Sequence, residues 1–413
     1  MTVTVPTWRG DVKEAADLVE EVARVLGYDR ITSTIPAGPL PEPQQASWFA
    51  RQEVVRDIMA GAGLREIVTY PLTNRAAMLN ILHDSTDAAP LLLGTADTTV
   101  ATTTPVPAAK GKKGKQAASV APTTAQPPML SPDQLPMVTL ANALSSKQDT
   151  LRLTLLVSLL ETLAENIRQG AQTVQLFEVG RRYIPTAGLA DGTDLPQERR
   201  SLGIIITGPV GDEWLGNQRT VDFYDLVGLL DGLCKSLHIA APRLTPTQHP
   251  TFHPGRCALI ALPTSSEADA PMHPAGIIGE VHPEVAKRYE VSRRAYALEL
   301  DLERLFAAAP EQFHVQPISR YPALRRDIAV VVRREVAAED VAAAIRAAGG
   351  ALVQSVALFD VYEGAPIPAE QRSLAFTIVY QAADRTLSDT DGDAERAKVV
   401  ALLGERFGAR LRE

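Results

Sequence analysis

The sequence predicts an α+β protein whose strands and helices fall into separate folded regions. Its 413 residues are enough for two or three domains, and the 45% that are hydrophobic can supply their cores. From residue 318 the patterns run strand, helix, strand, strand, helix, strand, the order of a ferredoxin-like unit. Between residues 44 and 317, apolar strands such as LGIIITG lie among amphipathic helices.

The first segment combines an extended stretch with a helix. Val3, Val5 and Trp8 alternate as in a strand, and a helix with an apolar stripe follows. Met1 stands directly before this strand, and no upstream strand is present to pair with it. We therefore expect residues 1–40 to be the C-terminal remnant of a small acidic domain, and whether Met1 is the natural start stays open.

The same helix carries carboxylates along one face. Asp17, Glu20 and Glu21 have the i, i+3, i+4 spacing, and Asp11 lies just before the helix. Carboxylates that converge in a small volume suit a hard divalent cation. The alternative is a solvated acidic face on which Asp11 interacts favourably with the helix dipole. The spacing alone leaves both interpretations open.

Composition marks the boundaries of the second region. Prolines between residues 36 and 43 break helix and strand, so we place a new domain at residues 44–317. Within it, residues 84–136 are rich in Thr, Ala, Pro and Lys and nearly lack aromatic residues. Such a composition cannot bury enough apolar surface to fold, so it predicts a disordered low-complexity insertion.

Known metal and phosphate motifs are absent from the sequence. Cys234 and Cys257 are the only cysteines, and we expect both to be buried and reduced. His249 and His253 have a four-residue spacing, but the proline after each favours a turn over a metal-binding helix. No P-loop or dinucleotide-binding glycine pattern occurs.

Net charge and hydropathy restrict how the protein could contact RNA and where in the cell we expect it. The net charge of −8 means that any RNA contact must come from a local basic patch. No apolar run approaches the roughly 18 residues of a membrane helix, and the N-terminus lacks a signal-peptide pattern. We therefore expect a cytoplasmic protein without a membrane span.

Residues 318–413 form the predicted ferredoxin-like domain and begin with a basic cluster. Arg320, Tyr321, Arg325 and Arg326 combine cations for phosphates with a flat side chain for unpaired bases. They are the predicted RNA-binding residues. The alternative is a domain junction whose arginines are simply solvated.

Several segments resemble the beta subunit of bacterial phenylalanine–tRNA ligase. They are VPTWRGD and LVEEVARVLGYD near the start, LANALSS and QLFEVGRRY in the middle, then FYDLVG, HPGR and GEVHPE, and finally ISRYPALRRDIAVVV, LFDVYEG and RFGARLR. The chain departs from the family pattern at a few places, for example Ala143 in place of a proline and Val227 in place of a lysine. The resemblance covers the whole chain apart from the insertion.

This resemblance implies folds and sites. Residues 44–317 are expected to form an inactive module like a class II synthetase, an antiparallel sheet flanked by helices, and residues 318–413 a ferredoxin-fold anticodon-binding domain. In the family the carboxylates at Asp11, Asp17, Glu20 and Glu21 are assigned as magnesium ligands. The QLFEVGRRY segment lacks the Arg-x-Glu pair and downstream histidine that adenylate chemistry needs, so we assign no catalytic residue.

The resemblance also implies a function. The expected role is that of a truncated, non-catalytic beta subunit that scaffolds a catalytic alpha subunit and binds the tRNA for phenylalanine, in an assembly of two alpha and two beta chains. Magnesium would be shared with the alpha subunit, which would bind most of the ATP, and we expect the chain to lack the family's N-terminal tRNA-binding and editing modules. The alternative is a free-standing RNA-binding or assembly protein. Binding of the alpha chain would separate the two.

Overall fold

The computed structural model forms two compact units, Met1–Glu311 and Gln312–Glu413. It describes residues 2–34, 38, 47–83, 135–186, 194–211, 213–216, 218–267, 270–310, 312 and 318–412. The division falls close to the predicted boundary between 317 and 318. Residues 1–40 fall in the first unit, and their origin as the remnant of a small acidic domain stays a prediction.

The first unit is built around a large sheet. Its helices are α1 (Ala15–Leu26), α2 (Ser47–Gly61), α3 (Arg75–Asn80), α4 (Leu156–Arg168), α5 (Phe223–Ser236), α6 (Pro283–Arg288) and α7 (Leu302–Ala308). Its strands are β1 (Arg65–Glu66), β2 (Leu72–Thr73), β3 (Thr150–Leu151), β4 (Val174–Ile184), β5 (Gln197–Thr207), β6 (Pro209–Val210), β7 (Arg219–Thr220), β8 (Arg243–Pro246), β9 (Phe252–Pro263), β10 (Met272–Val281) and β11 (Ala295–Asp301).

The sheet has seven strands in the order β1-β4-β5-β11-β10-β9-β8. Its pairs are antiparallel except at one edge, where β1 runs parallel to β4. The prediction of an antiparallel sheet is therefore wrong at that edge. The reason is that β1 and β4 are far apart in sequence, and a long connection permits a parallel pair.

Both faces of this sheet are buried. Leu176 and Ile205 pack with α4 on one face, while Phe177 and Ile204 pack with α5 and α7 on the other. Because side chains of adjacent strand residues point to opposite faces, a strand covered on both sides reads as a continuous apolar run. This explains the LGIIIT segment of β5, in which every residue is buried.

The N-terminal segment differs from its prediction. Residues 2–6 form no strand, and Trp8 lies in a turn with 81% of its surface exposed. The alternating pattern is insufficient here because a strand needs a partner for its backbone hydrogen bonds. Helix α1 itself forms as predicted, but none of its residues is buried, and Val19, Val22 and Val25 face solvent.

The structure describes the last two residues of the predicted insertion and the residues that flank it. Residues 84–134 lie outside the described residues, whereas Leu135, predicted to belong to the insertion, is buried in the core. On the other side, the His83 amide donates to the Pro250 carbonyl at 2.6 Å. Strands β2 and β3 also pair across this gap, with Leu72 opposite Leu151. The chain on both sides of the gap is therefore held by the core.

The second unit has the predicted βαββαβ order. Its elements are β12 (Leu324–Arg333), α8 (Ala338–Gly349), β13 (Val353–Tyr362), β14 (Gln371–Tyr380), α9 (Asp389–Phe407) and β15 (Arg410–Leu411). The sheet order is β13-β14-β12-β15. Alternate residues of β12, including Ile328 and Val330, are buried in a core with residues of α8 and α9. The other sheet face is left uncovered by these helices.

Both cysteines of the chain lie in the first unit. Cys234 and Cys257 are free and buried, as predicted, and burial raises the pKa of each thiol to about 12.

Within the described part of the chain, no helix has the length and apolar character needed to cross a membrane.

Candidate functional site

Asp17 caps the helix that carries the predicted magnesium ligands. Its Oδ2 accepts hydrogen bonds from the backbone amides of Lys13 at 2.7 Å and Glu14 at 2.8 Å. These hydrogen bonds lower the pKa of Asp17 because they stabilise the charged carboxylate. Asp17 therefore satisfies donors at the start of α1 that would otherwise lack a partner within the helix.

Two further carboxylates of the cluster meet Arg9. Its Nη2 lies 2.6 Å from Asp11 Oδ2 and 2.5 Å from Glu21 Oε1, while Arg24 Nη2 lies 2.7 Å from Glu21 Oε2. Hydrogen bonds from Arg9 and Arg24 lower the pKa of Glu21 to about 2, and the Arg9 contact lowers that of Asp11. Sequence reasoning missed Arg9, although it stands only two residues before Asp11.

The carboxylates in this arrangement do not fit a metal ion. Asp11, Asp17 and Glu21 are engaged with protein donors, and Glu20 is exposed. Among the described residues, no group of three or more His, Cys, Asp or Glu side chains is placed to hold a metal. Carboxylates that already neutralise arginines or cap a helix have fewer oxygens to offer a hard cation.

The predicted tRNA-binding residues of the second unit are not one cluster. Arg325 and Arg326 are adjacent in β12, so their side chains leave opposite faces of the sheet. Arg326 lies on the helix side, 2.5 Å from Asp389 and 3.9 Å from Asp393 of α9. Arg325 is exposed on the uncovered face. Arg326 therefore ties α9 to the sheet, and Arg325 is the one available to a ligand.

Arg320 and Tyr321 precede the strand. Arg320 is exposed, whereas Tyr321 is half-buried and its carbonyl accepts a hydrogen bond from the Gln381 side chain at 2.6 Å. The Tyr321 amide donates to Ser319 Oγ at 3.3 Å. These bonds fix the chain just before β12, so Arg320 projects from an anchored segment.

The uncovered face of the second sheet has a floor of small residues. Ala329 of β12 lies opposite Ala375 of β14. Beside them the exposed Asp327 carboxylate, which adds a negative charge to this face, accepts a hydrogen bond from Thr377 Oγ1 at 2.6 Å. Towards one end, the guanidinium of Arg412 lies 4.6 Å from the ring centroid of Tyr362. Sequence reasoning missed both residues; the signal was an aromatic residue at the end of β13 on the polar face. A flat floor with cations and an aromatic ring is suited to single-stranded RNA.

The charged residues of QLFEVGRRY are engaged inside the first unit. Glu178 and Arg152 form an ion pair at 2.8 Å in which each side chain is 3% exposed. Arg182 lies 3.5 Å from Asp301 in the core, and Arg181 pairs with Glu198 at the surface at 2.7 Å. Glu178 and Arg182 thus have a structural role in the core, whereas Arg181 belongs to a surface ion pair.

Comparison with known proteins defines the class of proteins to which the chain belongs. Residues 31–302 match the family model for the phenylalanyl tRNA synthetase beta chain CLM domain. Residues 319–412 match the ferredoxin-fold anticodon binding domain and residues 1–28 the tRNA synthetase B5 domain. The chain is therefore of the aminoacyl-tRNA synthetase class. Because the first match spans more than half of its length, it belongs to the phenylalanyl tRNA synthetase beta chain family.

Individual relatives agree with this assignment. The phenylalanine–tRNA ligase beta subunit of Bacillus cereus is 33% identical over 413 residues, which are 100% of this chain and 44% of the relative. That of Moorella thermoacetica is 33% identical over 416 residues, again 100% and 44%. The chain thus spans less than half the length of these relatives.

A solved pyrrolysyl tRNA synthetase of Desulfitobacterium hafniense has 14% identity and a TM-score of 0.37. The match covers 70% of this chain and 73% of the pyrrolysyl tRNA synthetase chain.

Proposed function

We propose that this chain acts as a non-catalytic part of phenylalanine–tRNA ligase. In this proposal it scaffolds a catalytic alpha subunit and binds tRNA, so that the assembly attaches phenylalanine to its tRNA at the expense of ATP. The observation that carries the proposal is the succession of two folded units that match the beta chain CLM domain and the anticodon binding domain.

The geometry of the second unit supports the tRNA part of the proposal. The uncovered sheet face offers Arg325 at one end and Tyr362 with Arg412 at the other, above a floor of small side chains. Arginines neutralise phosphates, and an aromatic ring stacks an unpaired base of any sequence. We propose this face, together with the exposed Arg320, as the anticodon contact.

The internal pairing of Glu178 and Arg182 supports a non-catalytic first unit. Charges held in buried pairs with Arg152 and Asp301 are not available to grip a triphosphate. We therefore propose that ATP is bound mainly by the alpha subunit. The proposal that two alpha and two beta chains assemble rests on the family resemblance alone. The cytoplasm is the proposed location, because that is where tRNA is used in protein synthesis.

Magnesium binding by the N-terminal carboxylates stays a prediction. It requires Asp11, Asp17 and Glu21 to release their present partners when the alpha subunit binds. If the prediction is right, replacing Asp17 and Glu20 by Ala will weaken magnesium-dependent assembly. Assembly that is indifferent to both magnesium and the substitutions would leave the cluster as a capping and ion-pairing group.

Co-expression with the matching alpha subunit tests the proposed function. The expected result is a complex that charges tRNA, whereas the purified chain alone shows no phenylalanine-dependent pyrophosphate exchange. Failure to bind the alpha subunit, combined with tight tRNA binding by the chain alone, would instead support a free-standing RNA-binding protein. Exchange activity by the chain alone would refute the scaffold role.

A further inference from the structure

Three separated segments of the first unit meet at one surface groove. The start of α5 at residues 222–224, the beginning of β9 at residues 253–258 and the β10–α6 corner at residues 280–283 line two adjoining cavities. These are the FYDLVG, HPGR and GEVHPE segments, to which the proposed function gives no role. The cavities measure about 640 and 500 Å³, within the usual size range of small-ligand sites. We call them the basic lobe and the aromatic lobe.

A buried carboxylate holds the wall between the two lobes. Arg256 Nη1 donates to both oxygens of Glu280 at 2.8 Å, and the Glu280 side chain is only 5% exposed. Arg294 Nε lies 3.7 Å from Glu280, with 64% of its side chain exposed. Glu280 therefore positions two guanidinium groups on the shared wall while leaving much of Arg294 open to solvent.

The basic lobe carries an excess of positive charge. Its lining includes four permanent cations and two carboxylates, namely Arg256, Lys287, Arg293, Arg294, Glu280 and Glu290. One carboxylate, Glu280, is already paired with Arg256. Arginine donates a planar pair of N–H groups that matches phosphate oxygens. The lobe is thus suited to a phosphate group.

The aromatic lobe offers a stacking surface beside these cations. Tyr224 is 77% exposed, and its ring meets that of Phe223 edge to face at 5.9 Å. The Asp222 carboxylate accepts the Tyr224 amide at 2.8 Å and so fixes the start of α5. An exposed ring on a fixed helix turn, next to arginines, is the combination with which proteins hold an unpaired nucleotide base.

We propose that this groove binds a nucleotide unit, with its phosphate in the basic lobe on Arg294 and Arg256 and its base against Tyr224. The unit is either a free mononucleotide or one residue of a single-stranded RNA, since both present the same chemistry. The site lies in the first unit and does not depend on the proposed anticodon contact of the second. An acidic peptide is the competing ligand, but it would have no use for the exposed ring.

Titration calorimetry on the full chain tests the proposal with AMP, adenosine and a 5′-phosphorylated ribotrinucleotide. AMP should bind more tightly than adenosine, which lacks the phosphate. Tyr224→Ala should weaken AMP binding by about 5- to 160-fold, since stacking on an aromatic side chain is worth about 1–3 kcal/mol per base. Arg294→Ala should lower the salt dependence of trinucleotide binding by about 0.7 for one lost phosphate contact.

Matched surface variants provide the controls. Tyr70→Ala removes another tyrosine that is 74% exposed, and Arg168→Ala removes another exposed arginine, both outside the groove. Neither variant should change nucleotide binding. Tighter binding of the trinucleotide than of AMP would identify RNA as the source, and equal binding a free nucleotide.

Three outcomes would overturn the proposal. They are the absence of saturable binding by AMP and the trinucleotide, binding that neither Tyr224→Ala nor Arg294→Ala alters, and displacement of AMP by hexaglutamate at equal concentration. Because both side chains are largely exposed, their removal should leave the melting temperature unchanged, and a loss of binding can be assigned to the groove.

Discussion

Removing Glu178 should destabilise the first unit strongly. Its carboxylate accepts hydrogen bonds from Arg152 Nη2 at 2.8 Å and Thr69 Oγ1 at 2.7 Å, and only 3% of the side chain is exposed. In Glu178→Ala the Arg152 guanidinium stays buried and keeps only neutral acceptors such as the Arg181 carbonyl at 2.9 Å. An uncompensated buried charge of this kind costs about 3–5 kcal/mol.

Calorimetric melting measures this cost. At roughly 2–4 °C per kcal/mol for a large domain, the transition of the first unit should fall by about 6–20 °C. The transition of the second unit should not move, because its core is separate. The paired replacement Arg152→Met with Glu178→Leu should recover most of the loss, since it removes both charges together.

An exposed pair in the same unit is the control. Glu165 and Arg168 are three residues apart on α4, and each side chain is about half exposed. Glu165→Ala should cost less than about 1 kcal/mol because water screens the charges. If Glu178→Ala lowers the transition no more than Glu165→Ala does, the buried pair does not stabilise the fold and the reasoning is wrong.

Three further predictions concern the N-terminal helix and the RNA contact. Asp17→Ala should weaken the start of α1 because its carboxylate accepts the backbone amide of the N-cap residue Glu14, seen as faster amide exchange in that helix, while unchanged exchange would exclude a capping role. The pKa of Glu21 is lowered from its ordinary 4.5 to about 2. Its contact with Arg9 should therefore persist above about pH 4.5 and be lost as the pH falls through about 2. An NMR titration of the Glu21 carboxyl with a midpoint near 4.5 would contradict this. Arg325→Ala should lower the salt dependence of tRNA binding by about 0.7–0.9, the effect of one phosphate contact, whereas Arg326→Ala should mainly destabilise the second unit. Equal loss of tRNA binding in both variants, without loss of stability, would place the two arginines on one RNA surface after all.

Hydrophobic periodicity predicted the elements of the second unit correctly, but it wrongly predicted a strand at the first few residues of the chain. The βαββαβ order followed from strand and helix patterns that each find partners within about 95 residues, and it is confirmed. Val3 and Val5 show a similar alternation but form no strand. Periodicity indicates how a segment would pair, whereas the presence of the pairing strand decides whether it does.

Site prediction failed where it treated neighbours in sequence as neighbours in space. Arg325 and Arg326 were grouped as one patch, yet strand alternation alone places them on opposite faces. The Arg152–Glu178 pair could not be predicted in the same way, because its residues approach only when α4 packs on β4. Local rules could have found the first feature, while the second depends on tertiary packing.

The pairing of β2 with β3 has a consequence for how this family can vary in length. Leu72 and Leu151 are joined by the ladder, and Leu135 and His83 anchor the chain on either side of residues 84–134. The entropic cost of closing a loop grows only with the logarithm of its length, about 0.6 kcal/mol for each doubling. Insertions or deletions between these anchors should therefore change the free energy of unfolding little, which makes this position suitable for a tag or a reporter domain.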